Sequence, residues 1–216
     1  PQVAPWRREL FQMIEATPHL DWLLLTKRPE HMKRLAEEAG WPSVWPAHVW
    51  AGTTVDDQRR ADERIPYLLQ VPARIRFLSV EPMLGSVDLT VIPANLPSSA
   101  ADDGWDYFNA LNGRGYDPQQ GYGDGVVYPR ISWVICGGES GPGARPFDLA
   151  WARALRDQCG AAQVPFFMKQ MGSNAMDSQD YPSPVTGKPY RLHYKHPKGG
   201  DMAEWPEDLR VREFPL

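Results

Sequence analysis

SWVICGGESGPGARPFD, Ser132 to Asp148, is the stretch that decides the fold. Four apolar residues, Trp133 to Cys136, run straight into Gly137-Gly138-Glu139-Ser140-Gly141, and a helical pattern follows almost at once. A buried strand ending in two glycines and a carboxylate is unusual on its own. It becomes informative because the same arrangement recurs along the chain.

Working outward, DLAWARALRDQCGAAQ (148–163) places Leu149, Ala152 and Leu155 at helical spacing, and VPFFMKQMG (164–172) returns to a strand. Upstream, DWLLLTKRPEHMKRLAEEAG (21–40) gives a strand from Trp22 to Leu25 and a helix entered at Pro29. That helix carries a Met32, Leu35, Ala39 stripe and stops at Gly40. HVWAGTTVDDQRRADERIPYLLQV (48–71) gives a strand from about His48 to Gly52, with Asp56 or Asp57 available to cap the charged helix. RIRFLSVEPMLGSVDL (74–89) gives a strand from about Ile75 to Val80. Short apolar strands alternating with helices predict a parallel sheet with helices outside it. A doubly wound open sheet and a complete or partial (β/α) barrel both fit this rhythm.

The chain opens directly into an amphipathic helix, with Leu10, Phe11, Ile14 and Trp6 expected on its buried side. From that opening the sequence reads as a fragment lacking an N-terminal portion. The Trp22–Leu25 strand is therefore expected to be an exposed or patched sheet edge. The Pro/Gly/Asp-rich stretch from about 93 to 130 reads as an insertion over one face, partly mobile, and residues 173–216 as an extension packed on the same domain.

With 216 residues and 42% hydrophobic content the chain can bury a core. It has no apolar run near the roughly eighteen residues a membrane helix needs. Two cysteines exclude a disulfide scaffold and set a cytoplasmic expectation. The net charge of −4 argues against broad nucleic-acid binding, though not against a local basic mouth.

Every apolar run ends in polar or glycine residues: Thr26-Lys27-Arg28, Gly52-Thr53-Thr54, Ser79 with Glu81-Pro82, Gly137 to Ser140, and Lys169-Gln170. In a parallel sheet these ends share one side, the side on which α/β proteins bind ligands. Glu81 leaves a strand directly and Pro82 constrains the exit. Glu139 can accept from an amine or ribose hydroxyl, and Arg145 can pair with a carboxylate or phosphate. Lys169 needs a carboxylate partner, with Glu81 and Glu139 the choices. Lys27 and Arg28 stand at a helix start, where cations are disfavoured, which points to an anionic ligand. No nucleophile accompanies Glu81 and Glu139, so acid–base hydrolysis is the weakest of the enzyme readings. His193-x-x-His196 lies in a Pro/Gly-rich tail without further ligands, and no metal site is expected there.

WLLLTKRPEHM, VWAGTTVDDQ, RFLSVEPMLG, WVICGGESGPGARPF and PFFMKQMG, in this order, resemble an uncharacterised phage-associated protein family whose members look like radical S-adenosylmethionine proteins. The resemblance implies a partial TIM-like (β/α) barrel of parallel strands with outer helices over residues 1–172, the early strands missing. It also implies S-adenosylmethionine and a [4Fe–4S] cluster in the intact protein. The cluster would be held by an N-terminal Cys-rich segment that this sequence lacks, and no cofactor is expected in the fragment. Glu81, Gly137, Gly138, Glu139 and Ser140 would then line a cofactor. Thr26, Lys27, Arg28, Thr53, Arg145 and Lys169 would face an unknown small-molecule or nucleotide substrate. The alternative is a non-catalytic nucleotide or nucleic-acid binding module of phage or prophage origin.

Overall fold

The computed structural model describes residues 3–41, 43–94, 105–123, 128–182 and 189–215, with the backbone alone for 179–182, 189 and 190. Four α-helices, α1 (Ala4–Ala16), α2 (Met32–Glu38), α3 (Gln58–Leu69) and α4 (Leu149–Ala161), accompany a central five-stranded sheet. That sheet comprises β1 (Trp22–Thr26), β2 (Val49–Thr54), β3 (Arg76–Val80), β8 (Trp133–Gly137) and β10 (Phe166–Gln170), in the order β1-β2-β3-β8-β10. Every pair in it is parallel, and spatial order follows chain order throughout.

Alternation divides the sheet into two faces. Val49, Ala51, Leu78, Val80, Val134, Cys136, Phe166 and Met168 join Ile65, Leu68, Ala152 and Leu155 of the helices in one apolar core. On the opposite face lie Leu25, Gly52, Phe77 and Trp133 in one register row, and Thr54, Ser79, Ile135 and Phe167 in the next. Gly52 is required there, because a Cβ at that position would fall 2.3 Å from the Phe77 ring. The expected strands are all present, each within a residue or two of its predicted bounds.

Helix α1 corrects one expectation. Phe11 and Ile14 are buried as predicted, but Trp6 is 68% exposed and Leu10 38%. At about 100° per residue Trp6 and Leu10 rotate away from the inward side, which Phe11 defines by stacking on Trp41 at 4.2 Å. In α3, Asp57 and not Asp56 is the N-cap, accepting from the Arg60 amide at 2.9 Å.

The 93–130 insertion carries short strands where it is described; residues 95–104 and 124–127 lie outside the described residues. It holds β4 (Ile92–Pro93), β5 (Tyr107–Phe108), β6 (Gly115–Asp117) and β7 (Gly121–Tyr122), an antiparallel meander. Phe108, Ala110, Leu111 and Ile131 enter the main core, so this small sheet stands where a helix would connect β3 to β8. The Trp105 ring lies over Gly115 and Gly123, which packs the insertion on itself.

The tail joins β9 (Phe147–Asp148) in a three-stranded sheet with β11 (Ala175–Pro182) and β12 (Pro189–Arg191), β11 and β12 antiparallel, with 183–188 outside the described residues. The final segment then crosses back to the far edge of β10. Met168 donates its amide to the Val211 carbonyl at 2.8 Å, and Glu213 donates to that of Phe166 at 3.0 Å. At the other edge β1 pairs with β2 alone among the described residues. Leu23 and Leu25 there are 42% and 50% exposed, the open edge expected for this strand. No described helix is long and apolar enough to cross a membrane.

Candidate functional site

The strand C-termini bring the predicted polar residues to one rim, but with different duties. Glu81 follows β3 through a cis peptide to Pro82, and Lys169 occupies a register irregularity in β10. Across the intervening strand β8 they form an ion pair, Lys169 Nζ to Glu81 Oε2, at 2.8 Å. Gly137 is the β8 residue between them: a Cβ there would lie 3.5 Å from the Glu81 carboxyl carbon and 3.4 Å from Gln170 Cγ. Only a residue without a long side chain leaves the pair in reach, which answers half of the two-glycine question.

Gly138 answers the other half by packing. A Cβ on it would fall 2.3 Å from the Met171 carbonyl oxygen, so the two backbones touch. Gly138 also donates its amide to the Gln170 carbonyl at 3.0 Å. Beyond it, the Glu139 carboxylate is engaged by Arg145. One carboxylate oxygen accepts from the Arg145 backbone amide and Nε, both at 2.8 Å, and the other from Nη2 at 2.7 Å. These hydrogen bonds pull the Glu139 carboxyl down to about 2. Glu139 and Arg145, read separately as cofactor and substrate ligands, are thus each other's partner and tie residues 139–145 into a closed loop. Ser140 is exposed on that loop.

Thr53 points to the helix side. It is fully buried, and its hydroxyl donates to the Thr26 carbonyl at 2.9 Å. The Thr26 hydroxyl accepts from the Arg28 amide at 3.0 Å, a local turn bond. Both threonines hold the ends of β1 and β2 together. Lys27 stands 3.8 Å from Asp56, and Arg28 is exposed with no side-chain partner among the described residues. Asp56 is the better-placed residue of the two acids in VDDQ. Its Oδ1 is buried without a hydrogen-bond partner, and its charge reaches both Lys27 and Arg145.

Below the rim, the open face forms a cavity of about 410 Å³. Leu23, Leu25, Phe77, Ile135 and Phe167 line it with Ser79, Glu81, Lys169 and Arg212. A mostly apolar cleft with a few convergent polar groups is the ordinary form of a small-molecule site. A second cavity, of about 340 Å³ and lined by Arg74, Arg130 and Pro165 among others, opens at the N-terminal ends of the strands, away from this constellation. Arg212 escaped the sequence reading because VREFPL carries no motif. Only its antiparallel bridge to Phe167 places it on the open face.

Both cysteines are buried, Cys136 on the helix side of β8 and Cys159 in α4. Burial pushes both thiols up, that of Cys159 to about 12. They are small core residues, and no group of three or more cysteine, histidine or acidic residues suited to a metal is found among the described residues. His196 is spent locally, its Nδ1 accepting from the Lys198 and Gly200 amides.

The family model described as "Protein of unknown function (DUF5131)" matches residues 2–202, nearly the whole chain. The chain belongs to that family. The DUF5131 match spans all five sheet strands, both partners of the rim ion pair and the 139–145 loop, and ends before Arg212. No curated protein and no solved structure matches the chain.

Proposed function

We propose that this chain is the later part of a phage-associated, radical-S-adenosylmethionine-like partial (β/α) barrel, and that it binds a small molecule over the open sheet face. The observation that supports this best is the strand order. Doubly wound sheets reverse their order at a switch point, whereas a barrel adds each strand beside the last, as β1-β2-β3-β8-β10 does here. The Glu81–Lys169 pair, at the strand C-termini, is where a barrel keeps its ligand. Phage association and the cofactor rest on the sequence resemblance.

The residues present do not fit a [4Fe–4S] cluster, since both thiols are buried in the helix-side core and protonated. No radical step is assigned to this chain. For the amino-acid part of S-adenosylmethionine the rim offers two candidates: Glu81 would exchange Lys169 for the ammonium group, and Lys169 would take the carboxylate. The same buried thiols are compatible with a second reading that needs no cluster, a non-catalytic nucleotide or nucleic-acid binding module of phage or prophage origin.

Calorimetric titration with S-adenosylmethionine and, separately, ATP tests both. Binding of S-adenosylmethionine that Glu81→Gln weakens at least tenfold supports the first reading. ATP binding alone supports the second, and silence from both ligands sinks them together. Sequencing upstream of Pro1 separates the enzyme from the module: a frame running back through a cysteine cluster supports the enzyme, a start codon just before Pro1 the module.

A further inference from the structure

We infer that the open-face cavity takes a ligand with a flat apolar body and one anionic group, a carboxylate, sulfonate or phosphate, anchored by Arg212. This rests on the reading of the open face as a ligand site and names the class of molecule it takes.

Three observations carry the assignment. Arg212 is fixed in place: its Nε donates to the Met168 carbonyl at 3.2 Å and Nη2 to that of Lys169 at 3.0 Å. Its guanidinium also lies 5.3 Å from the Phe167 ring centre and 5.2 Å from that of Trp205. An arginine held by ring faces and two carbonyls is an oriented cation, with the Nη1 donors unused among the described residues.

Second, no carboxylate pairs with it among the described residues. Glu81 is already occupied by Lys169, and Glu213, its sequence neighbour, accepts from the Phe166 amide instead. The cavity lining therefore carries one uncompensated positive charge.

Third, the wall beside Arg212 is apolar and carries two aromatic rings, Phe77 and Phe167, with Ile135 beside them. A volume of about 410 Å³ is that of a small-molecule site. An oriented guanidinium with donors to spare makes charge-assisted hydrogen bonds to any of these three anions.

The test uses two fluorescent probes of one shape and different charge, 8-anilino-1-naphthalenesulfonate and neutral N-phenyl-1-naphthylamine. The anionic probe is expected to bind saturably at one site, at least tenfold more tightly than the neutral one. Arg212→Gln should lower its affinity at least tenfold and leave the neutral probe unchanged. Equal affinities, or anionic binding indifferent to Arg212 (as at the exposed apolar side of α1), would overturn the assignment. Should Arg212→Gln melt too low to titrate, Arg212→Lys replaces it. A preference of threefold or more for the anionic over the neutral probe in that variant supports charge recognition, and a preference below threefold refutes it. Failure of S-adenosylmethionine to bind leaves this result standing, and failure here leaves the cofactor titration to be read by itself.

Discussion

At the scale of single residues, the two adjacent glycines that end β8 make different demands. A methyl group at Gly138 collides with a backbone carbonyl, which cannot yield, while one at Gly137 meets only ordinary contact distances. Gly138→Ala is expected to cost about 2–3 kcal/mol in urea unfolding and Gly137→Ala well under about 1 kcal/mol. Equal costs would mean the Met171 backbone gives way. The Glu139–Arg145 pair carries the pH prediction. The folded Glu139 carboxyl is depressed to about 2 from its ordinary 4.5, so its favourable contribution is whole above pH 4.5 and fades as pH falls toward 2. An NMR titration of that carboxyl should show no protonation at pH 3.5; a midpoint near 4.5 would mean that the loop opens in solution. Polar residues after each strand were legible in the sequence as a rim. Which of them face the ligand side was not, because Thr53 and Thr54 differ only by the pleat, and Glu139 finds its partner six residues away through a turn no pattern announces.

At the scale of elements, the strand-and-helix alternation could be read from periodicity because each unit is local. The meander between β3 and β8 could not: strands of two or three residues carry no measurable alternation, and their pairing depends on contacts with α3 and the core. Attachment of the tail was equally hidden, since it runs through ionic contacts distant in sequence. Arg153 of α4, only 12% exposed in its side chain, binds Asp177 of β11 at 2.9 Å and Asp208 at 3.0 Å, and Arg156 shares Asp208 at 2.7 Å. Removing Asp177 takes away the buried partner of Arg153 and leaves Asp208, at the surface, to hold it. Asp177→Ala should thus destabilise the fold by about 2 kcal/mol, clearly more than Glu63→Ala in the exposed ladder of α3. Thermal melts of the two variants side by side decide this, and comparable losses would assign the tail's attachment to apolar packing.

At the scale of the whole molecule, the sheet is asymmetric about its own axis. The β10 edge is sealed by 211–213, with Trp133 donating its indole N–H to the Glu213 carbonyl at 2.8 Å and Phe214 packed on Trp133 and Phe167. The β1 edge pairs with no second strand among the described residues, and it carries two exposed leucines. A sheet with two free edges can polymerise without limit; one with a single free edge has a valency of one. Joining two copies β1 to β1 consumes both open edges of the central sheet, so edge pairing through it closes on itself as a two-fold pair. Light scattering across a concentration series should therefore show mass rising toward twice that of the chain and stopping there. Growth past two copies would require the 211–213 seal to lift. In polymer terms, the terminal segment makes the fold a chain stopper for its own strands.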